Sequence, residues 1–132
     1  MPVNIERKKN IIDVKVTKIN HWYRLINILD KLYNKNIRLI FYDCDEIQND
    51  YNLVNIIKKY NILSLEIIDT ELKSNNDIIF NIINSDNNNI KEYYFLNNNF
   101  NDIEYLRMKL KNKQVTYHLE EEEYENNLTT LY

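Results

Sequence analysis

The side chains able to do chemistry in this sequence are few and poorly grouped. Cys44 stands between Asp43 and Asp45, with Glu46 and Asp50 close behind. A nucleophilic thiolate needs a base or a positive neighbour to lower its pKa. Flanking carboxylates act in the opposite sense, so Cys44 reads as an ordinary turn thiol. The same acidic group lacks the glycine and the ligand spacing of an EF-hand loop. Glu120 to Glu123, with Glu125 and nearby His118, supplies further carboxylates. Consecutive side chains on an extended strand alternate sides, however, and do not converge on one ion. That run is expected to be a solvated acidic edge that discourages another strand from pairing there. His21 and His118 lie at opposite ends of the chain, too far apart to cooperate. Asn127-Leu-Thr129 fits a glycosylation acceptor, incidental without a secretory leader. No catalytic residue, metal site or cofactor is expected, and the chain reads as a non-enzyme.

Composition narrows the classes further. Glycine is absent from the 132 residues, which excludes every glycine-built phosphate cradle and the nucleophile elbow of serine hydrolases. Alanine is absent too, while Ile, Asn, Lys and Tyr abound, as expected of an AT-rich coding sequence. A single Cys rules out a disulfide framework and a thiolate zinc cage. The net charge of -3 argues against a general grip on nucleic acid. No apolar run is long enough to cross a membrane and no leader is recognisable, so an intracellular, cytoplasmic protein is expected. Hydrophobic residues make up 44% of the chain, enough for one domain over residues 1–132 with a real core.

The elements that would position these residues alternate strictly. Runs rich in β-branched and aromatic residues predict strands at Ile11–Thr17, Ile37–Tyr42, Leu63–Ile68, Ile90–Phe95 and Val115–Leu119. Apolar residues at three- and four-residue spacing predict helices at Trp22–Tyr33, Tyr51–Tyr60, Asp77–Asn84 and Asp102–Lys111. Pro2 is the single proline, so turns rely on Asn and Asp. Strand–helix alternation with short connections predicts an α/β fold with parallel strands.

The spacing is also periodic. Segments beginning near residues 11, 37, 62, 90 and 114 share a scheme. Ile37-Arg-Leu-Ile-Phe-Tyr-Asp-Cys-Asp-Glu-Ile47 and Ile62-Leu-Ser-Leu-Glu-Ile-Ile-Asp-Thr-Glu-Leu72 both carry apolar residues at positions one, four, six and eleven. Ile90-Lys-Glu-Tyr-Tyr-Phe-Leu-Asn-Asn-Asn-Phe100 repeats it, with Asn98 at the ninth position and Thr70 and Asp45 at the ninth of the other two. This pattern, LxxLxLxx[NCT]xL with a helical second half, resembles the leucine-rich repeat proteins, above all their ribonuclease-inhibitor-like and cysteine-containing types. Ile and Tyr replace many leucines, and the first and last segments fit as terminal caps. The resemblance covers about Ile11 to Tyr124. It implies a short solenoid of about five parallel strands in chain order, with helices on the convex side. It also implies a scaffold or recognition role without catalysis.

In that register Ile40 with Tyr42, Leu65 with Ile67, and Tyr93 with Phe95 point towards the helices. Leu39, Phe41, Asp43, Glu66, Ile68, Glu92, Tyr94, Leu96, His118 and Glu120 are expected on the concave face. Apolar side chains there, edged by carboxylates, are the composition of a protein–protein site. The expected partner is another protein, within a larger assembly; neither nucleic acid nor membrane insertion is expected. If helices cover both faces, the same residues are core. A second resemblance is to regulatory domains of the sulfate-transporter/anti-sigma-antagonist (STAS) type, carried by Asn4–Arg7, Ile11–Thr17 and the helix that follows. It implies a switch by phosphorylation or nucleotide binding, and strands out of chain order. The region Asp43-Cys-Asp-Glu-Ile-Gln-Asn-Asp50 has neither the Ser nor the Gly of that switch.

Overall fold

The computed structural model describes residues 3–19, 22–44, 47, 51–70, 77–85, 88–98 and 103–119. The chain folds as β1 (Val3–Arg7), β2 (Ile12–Thr17), α1 (Trp22–Lys31), β3 (Ile37–Tyr42), α2 (Asn52–Lys59), β4 (Ile62–Ile68), α3 (Asp77–Asn84), β5 (Glu92–Leu96), α4 (Ile103–Asn112) and β6 (Thr116–Leu119). The six strands form one sheet in the order β1-β2-β3-β4-β5-β6. β1 runs antiparallel to β2, and every later pair is parallel. The α/β alternation and the parallel strands agree with the expectation. β1 does not: a five-residue hairpin arm too short to show periodicity adds an antiparallel edge strand.

Burial sorts the strand residues by alternation. Val14 and Val16, Leu39 and Phe41, Leu65 and Ile67, and Tyr93 and Phe95 are buried on one face. They form one core with Leu25 and Leu29 of α1, Leu53, Ile56 and Ile57 of α2, Ile79, Ile82 and Ile83 of α3, and Leu106 and Leu110 of α4. Trp22 meets Phe41 with ring centroids 5.9 Å apart. No helix could bury its apolar stripe without the sheet, nor the sheet its apolar face without the helices.

Two periodic features hold the strands in register. After each of β2 to β5 comes a residue in the left-handed region: Lys18 (φ 52°), Asp43 (54°), Asp69 (51°) and Asn97 (55°). Left-handed backbone favours glycine, then Asn and Asp; a chain without glycine uses Asp and Asn at three of the four. The next residue in each case, Ile19, Cys44, Thr70 and Asn98, is buried. The last three form a ladder. The Thr70 N–H donates to Asn98 Oδ1 at 3.0 Å, and the Cys44 N–H donates to Thr70 Oγ1 at 3.1 Å. Asn98 Nδ2 in turn donates to the Ile67 carbonyl at 2.7 Å.

The ladder corrects the expected register of the second segment. Ile37 pairs with Ile62, but Arg38 pairs with Ser64, so β4 carries one extra residue at that point. A one-residue slip exchanges every side chain between faces. Leu39 and Phe41, expected on the open face, are therefore fully buried. Ile40 is half-buried and Tyr42 exposed, although both were expected to face the helices. The slip also brings Cys44, not Asp45, into line with Thr70 and Asn98.

Two substitutions test these assignments. Asn98→Ala strands the Thr70 N–H and the Ile67 carbonyl, so a loss of roughly 2–4 kcal/mol is expected in urea unfolding; a loss below about 0.5 kcal/mol would contradict the ladder. Phe41→Ala should cost about 3–5 kcal/mol and Ile40→Ala less than about 1.5 kcal/mol. The reverse order would restore the unslipped register.

Candidate interaction surface

The alternate set of strand residues keeps contact with solvent and lies in three rows across the sheet. The first is Asp13, Arg38, Ser64, Glu92 and Thr116; the second Lys15, Ile40, Glu66, Tyr94 and His118; the third Thr17, Tyr42, Ile68 and Leu96. Neighbours within a row stand about 4.8 Å apart. Of these side chains only Asp13 and Ser64 are buried; the others are half-buried or exposed. That separates this face from a second core layer.

The first two rows form an electrostatic network. Arg38 lies between Asp13 (Nη1–Oδ1, 3.5 Å) and Glu66 (Nε–Oε2, 3.8 Å), while Lys8 Nζ reaches Asp13 Oδ2 at 2.8 Å. Burial raises the Glu66 pKa above its ordinary 4.5; Arg38 opposes the shift, and Asp13 and Glu92 add to it. His118 Nε2 is 3.7 Å from Glu92 Oε1. Its ring stacks on Tyr94 at 4.0 Å with planes 10° apart. Burial raises the Tyr94 hydroxyl pKa first, and its hydrogen bond to Glu92 second. In the third row, Lys15 Nζ sits 5.0 Å from the centre of the Tyr42 ring. The Tyr42 hydroxyl is bonded to Asp69, which raises its pKa. Ile68 and Leu96 continue the row as half-buried aliphatics.

This surface brings together Glu66, Ile68, Glu92, Tyr94, Leu96 and His118 of the residues expected there. Asp43 stands just beyond it in the turn after β3, with its carboxylate 3.7 Å from Lys18 Nζ. Leu39 and Phe41 do not belong to it. Glu120 and the rest of the acidic run, Asp45, Glu46, Asp50, His21, and Asn127 to Thr129 lie outside the described residues. Arg38, Ile40 and Tyr42 belong to the surface and were missed. Aligning Asp43, Asp69 and Asn97 as the left-handed turn residues would have found them, because it moves the second segment by one.

Ser64 Oγ is buried without a hydrogen-bond partner, so no base is placed to take its proton. Cys44 is in no disulfide and is fully buried, its thiol donating to the Val16 and Tyr42 carbonyls at 3.5 and 3.3 Å. Among the described residues no group of three or more His, Cys, Asp and Glu is placed to hold a metal ion. Among them, too, no helix is long and apolar enough to cross a membrane.

The Glu66 shift has a sign that can be measured. A carboxyl whose pKa is raised on folding holds its proton more tightly in the folded chain. Its contribution thus favours folding below pH 4.5 and turns unfavourable as pH rises through the raised value. The stability of Glu66→Gln relative to the natural chain should therefore grow between about pH 4 and 7 in urea titrations. A flat or falling difference would show that Arg38 dominates instead. Comparison with known proteins finds no family model, no curated protein and no solved structure that matches this chain.

Proposed function

We propose that this chain is a non-catalytic interaction module, a short leucine-rich-repeat-like solenoid that binds another protein through the open face of its sheet. The observation that carries the reading is the face itself: Ile40, Tyr42, Ile68, Tyr94 and Leu96 stay partly exposed around Glu66, with Asp13, Arg38 and Glu92 along one flank and Asp43 and Asp69 along the other. Apolar side chains within a charged border have the composition of a protein-binding surface. Three features support the repeat architecture. The strands succeed one another in chain order. Each of β2 to β5 ends in the same left-handed turn. Cys44, Thr70 and Asn98 occupy one hydrogen-bonded register at the position where the resemblance calls for Asn, Cys or Thr. The succession of strands also runs against the STAS-like reading, which needs them out of order. A buried cysteine outside any disulfide fits a reducing, intracellular setting.

The role is that of a scaffold or recognition subunit within a larger assembly. Its test compares affinity captures from native lysate by three baits. The natural chain should recover a partner that the double variant Ile68→Asp/Tyr94→Ala loses by at least tenfold. A helix-face variant, Tyr23→Ala/Tyr105→Ala, should retain it. Equal recovery by all three baits, with unchanged circular dichroism, would remove the open face from the interaction.

A further inference from the structure

The charge that composition averages to -3 is sorted in space. Because β2 to β6 run in one direction, every connection leading into a strand lies on the same rim of the sheet. Side-chain hydrogen bonds tie those connections into one row. Asn36 Nδ2 donates to the Asn10 carbonyl at 3.4 Å, Asn61 Nδ2 to Asn36 Oδ1 at 2.6 Å, and Asn89 Nδ2 to Asn61 Oδ1 at 3.1 Å. Lys113 Nζ extends the row by donating to the Ser85 carbonyl at 3.0 Å.

Each connection also carries cations. Arg7 and Lys9 flank the β1–β2 hairpin, Lys35 follows α1, Lys58 lies in the last turn of α2, and Lys91 precedes β5; all five are exposed. Of the nearby carboxylates, Asp13 and Asp30 are occupied by Lys8 at 2.8 Å and Lys59 at 3.3 Å, while Glu6 stands exposed beside Arg7. Two open clefts lie along this rim. One of about 330 Å³ is bounded by Arg7, Lys9, Asn10, Lys35 and Asn36. The other, of about 580 Å³, runs from Asn36 past Asn61 to Asn89 and Lys91. In the same turn as Lys35 stands Tyr33, 56% exposed, steadied by an edge-on contact with Tyr60 at 6.3 Å.

Lysine, arginine and amide N–H donors are the groups that hold phosphate oxygens. Their repetition at about 4.8 Å per strand suits a polymer of anions better than one anion. An exposed aromatic ring among them suits a base, whose π-face can stack on it; an acidic peptide has no use for that ring. The acidic residues Asp43 and Asp69 sit at the opposite rim, a strand length of about 17–20 Å away. Salt screens charges beyond about 8 Å at physiological ionic strength, so the overall negative charge does not forbid binding here. We propose that this rim binds single-stranded nucleic acid, its cations and amides on the phosphodiester backbone and Tyr33 stacked on a base. The proposal is independent of the open face and leaves it free for a protein partner.

The test is fluorescence anisotropy of a labelled oligothymidylate titrated with the full chain over a range of salt concentrations. Binding at low salt is expected, weakening linearly in log–log form as salt rises. Lys35→Gln/Lys91→Gln should make that slope shallower by about 0.7 per lysine. Tyr33→Leu should weaken binding roughly tenfold with the slope unchanged. Arg24→Gln/Lys18→Gln removes the same charge away from the rim and should bind like the natural chain. Absence of binding at low salt overturns the proposal, as does equal weakening by the two charge variants. Polyglutamate or phosphatidylserine vesicles binding as tightly as the oligonucleotide, with Tyr33→Leu neutral, would assign the rim to acidic peptides or anionic membranes instead.

Discussion

The structure depends on one repeated turn. At the end of each of β2 to β5 a residue enters the left-handed region, and the next side chain is thereby directed into the core. In most chains glycine makes that turn without a steric penalty. Here no glycine exists, so Asp43, Asp69 and Asn97 take the position, with Lys18 in the first turn. The turn ends each strand and leads into a buried residue. It also extends the sheet's own bonding: the Asp43 N–H donates to the Ile68 carbonyl and the Asp69 N–H to the Leu96 carbonyl, both at 3.0 Å. The buried Cys44, Thr70 and Asn98 then meet the backbone groups that this bend would otherwise strand inside the protein.

From that turn the two faces acquire different chemistry. Strand residues on the helix side are aliphatic and aromatic because they meet the stripes of α1 to α4. Those on the other side combine ion pairs with half-buried apolar side chains. Burial is the main cause of the raised Glu66 pKa, with Arg38 opposing it and Asp13 and Glu92 adding to it, so holding this carboxylate charged on the half-buried face has a cost.

The same directionality separates charge between the rims. The described helices end where the strands begin, and a helix C-terminus attracts cations: Lys31, Lys58, Lys59, Lys109 and Lys111 lie in final turns. The opposite rim receives the Asp and Asn needed for left-handed turns. Helix electrostatics and backbone sterics, acting independently, thus give the molecule a cationic edge and an acidic one.

Much of the architecture was legible in the residues. Alternating patterns located five strands and four helices near their observed positions, and the recurrence of about 25 residues marked the repeated unit. Those signals are local: each reflects the face that one element must bury, so a single sequence carries them. What stayed hidden was relational. An extra residue in β4 relative to β3 moved Leu39 and Phe41 into the core and brought Arg38, Ile40 and Tyr42 to the surface. Hydrophobicity could not reveal the slip, because Leu39, Ile40, Phe41 and Tyr42 are apolar on both alternations. β1 escaped because an edge hairpin has no buried face to impose a pattern. The cationic rim escaped because net charge is a sum, and only the common direction of the strands decides which lysines stand together. The sequence by itself therefore determined which elements form and how often they recur. Tertiary structure alone decided which side chains share a face, since that follows from pairing between segments rather than from order within one.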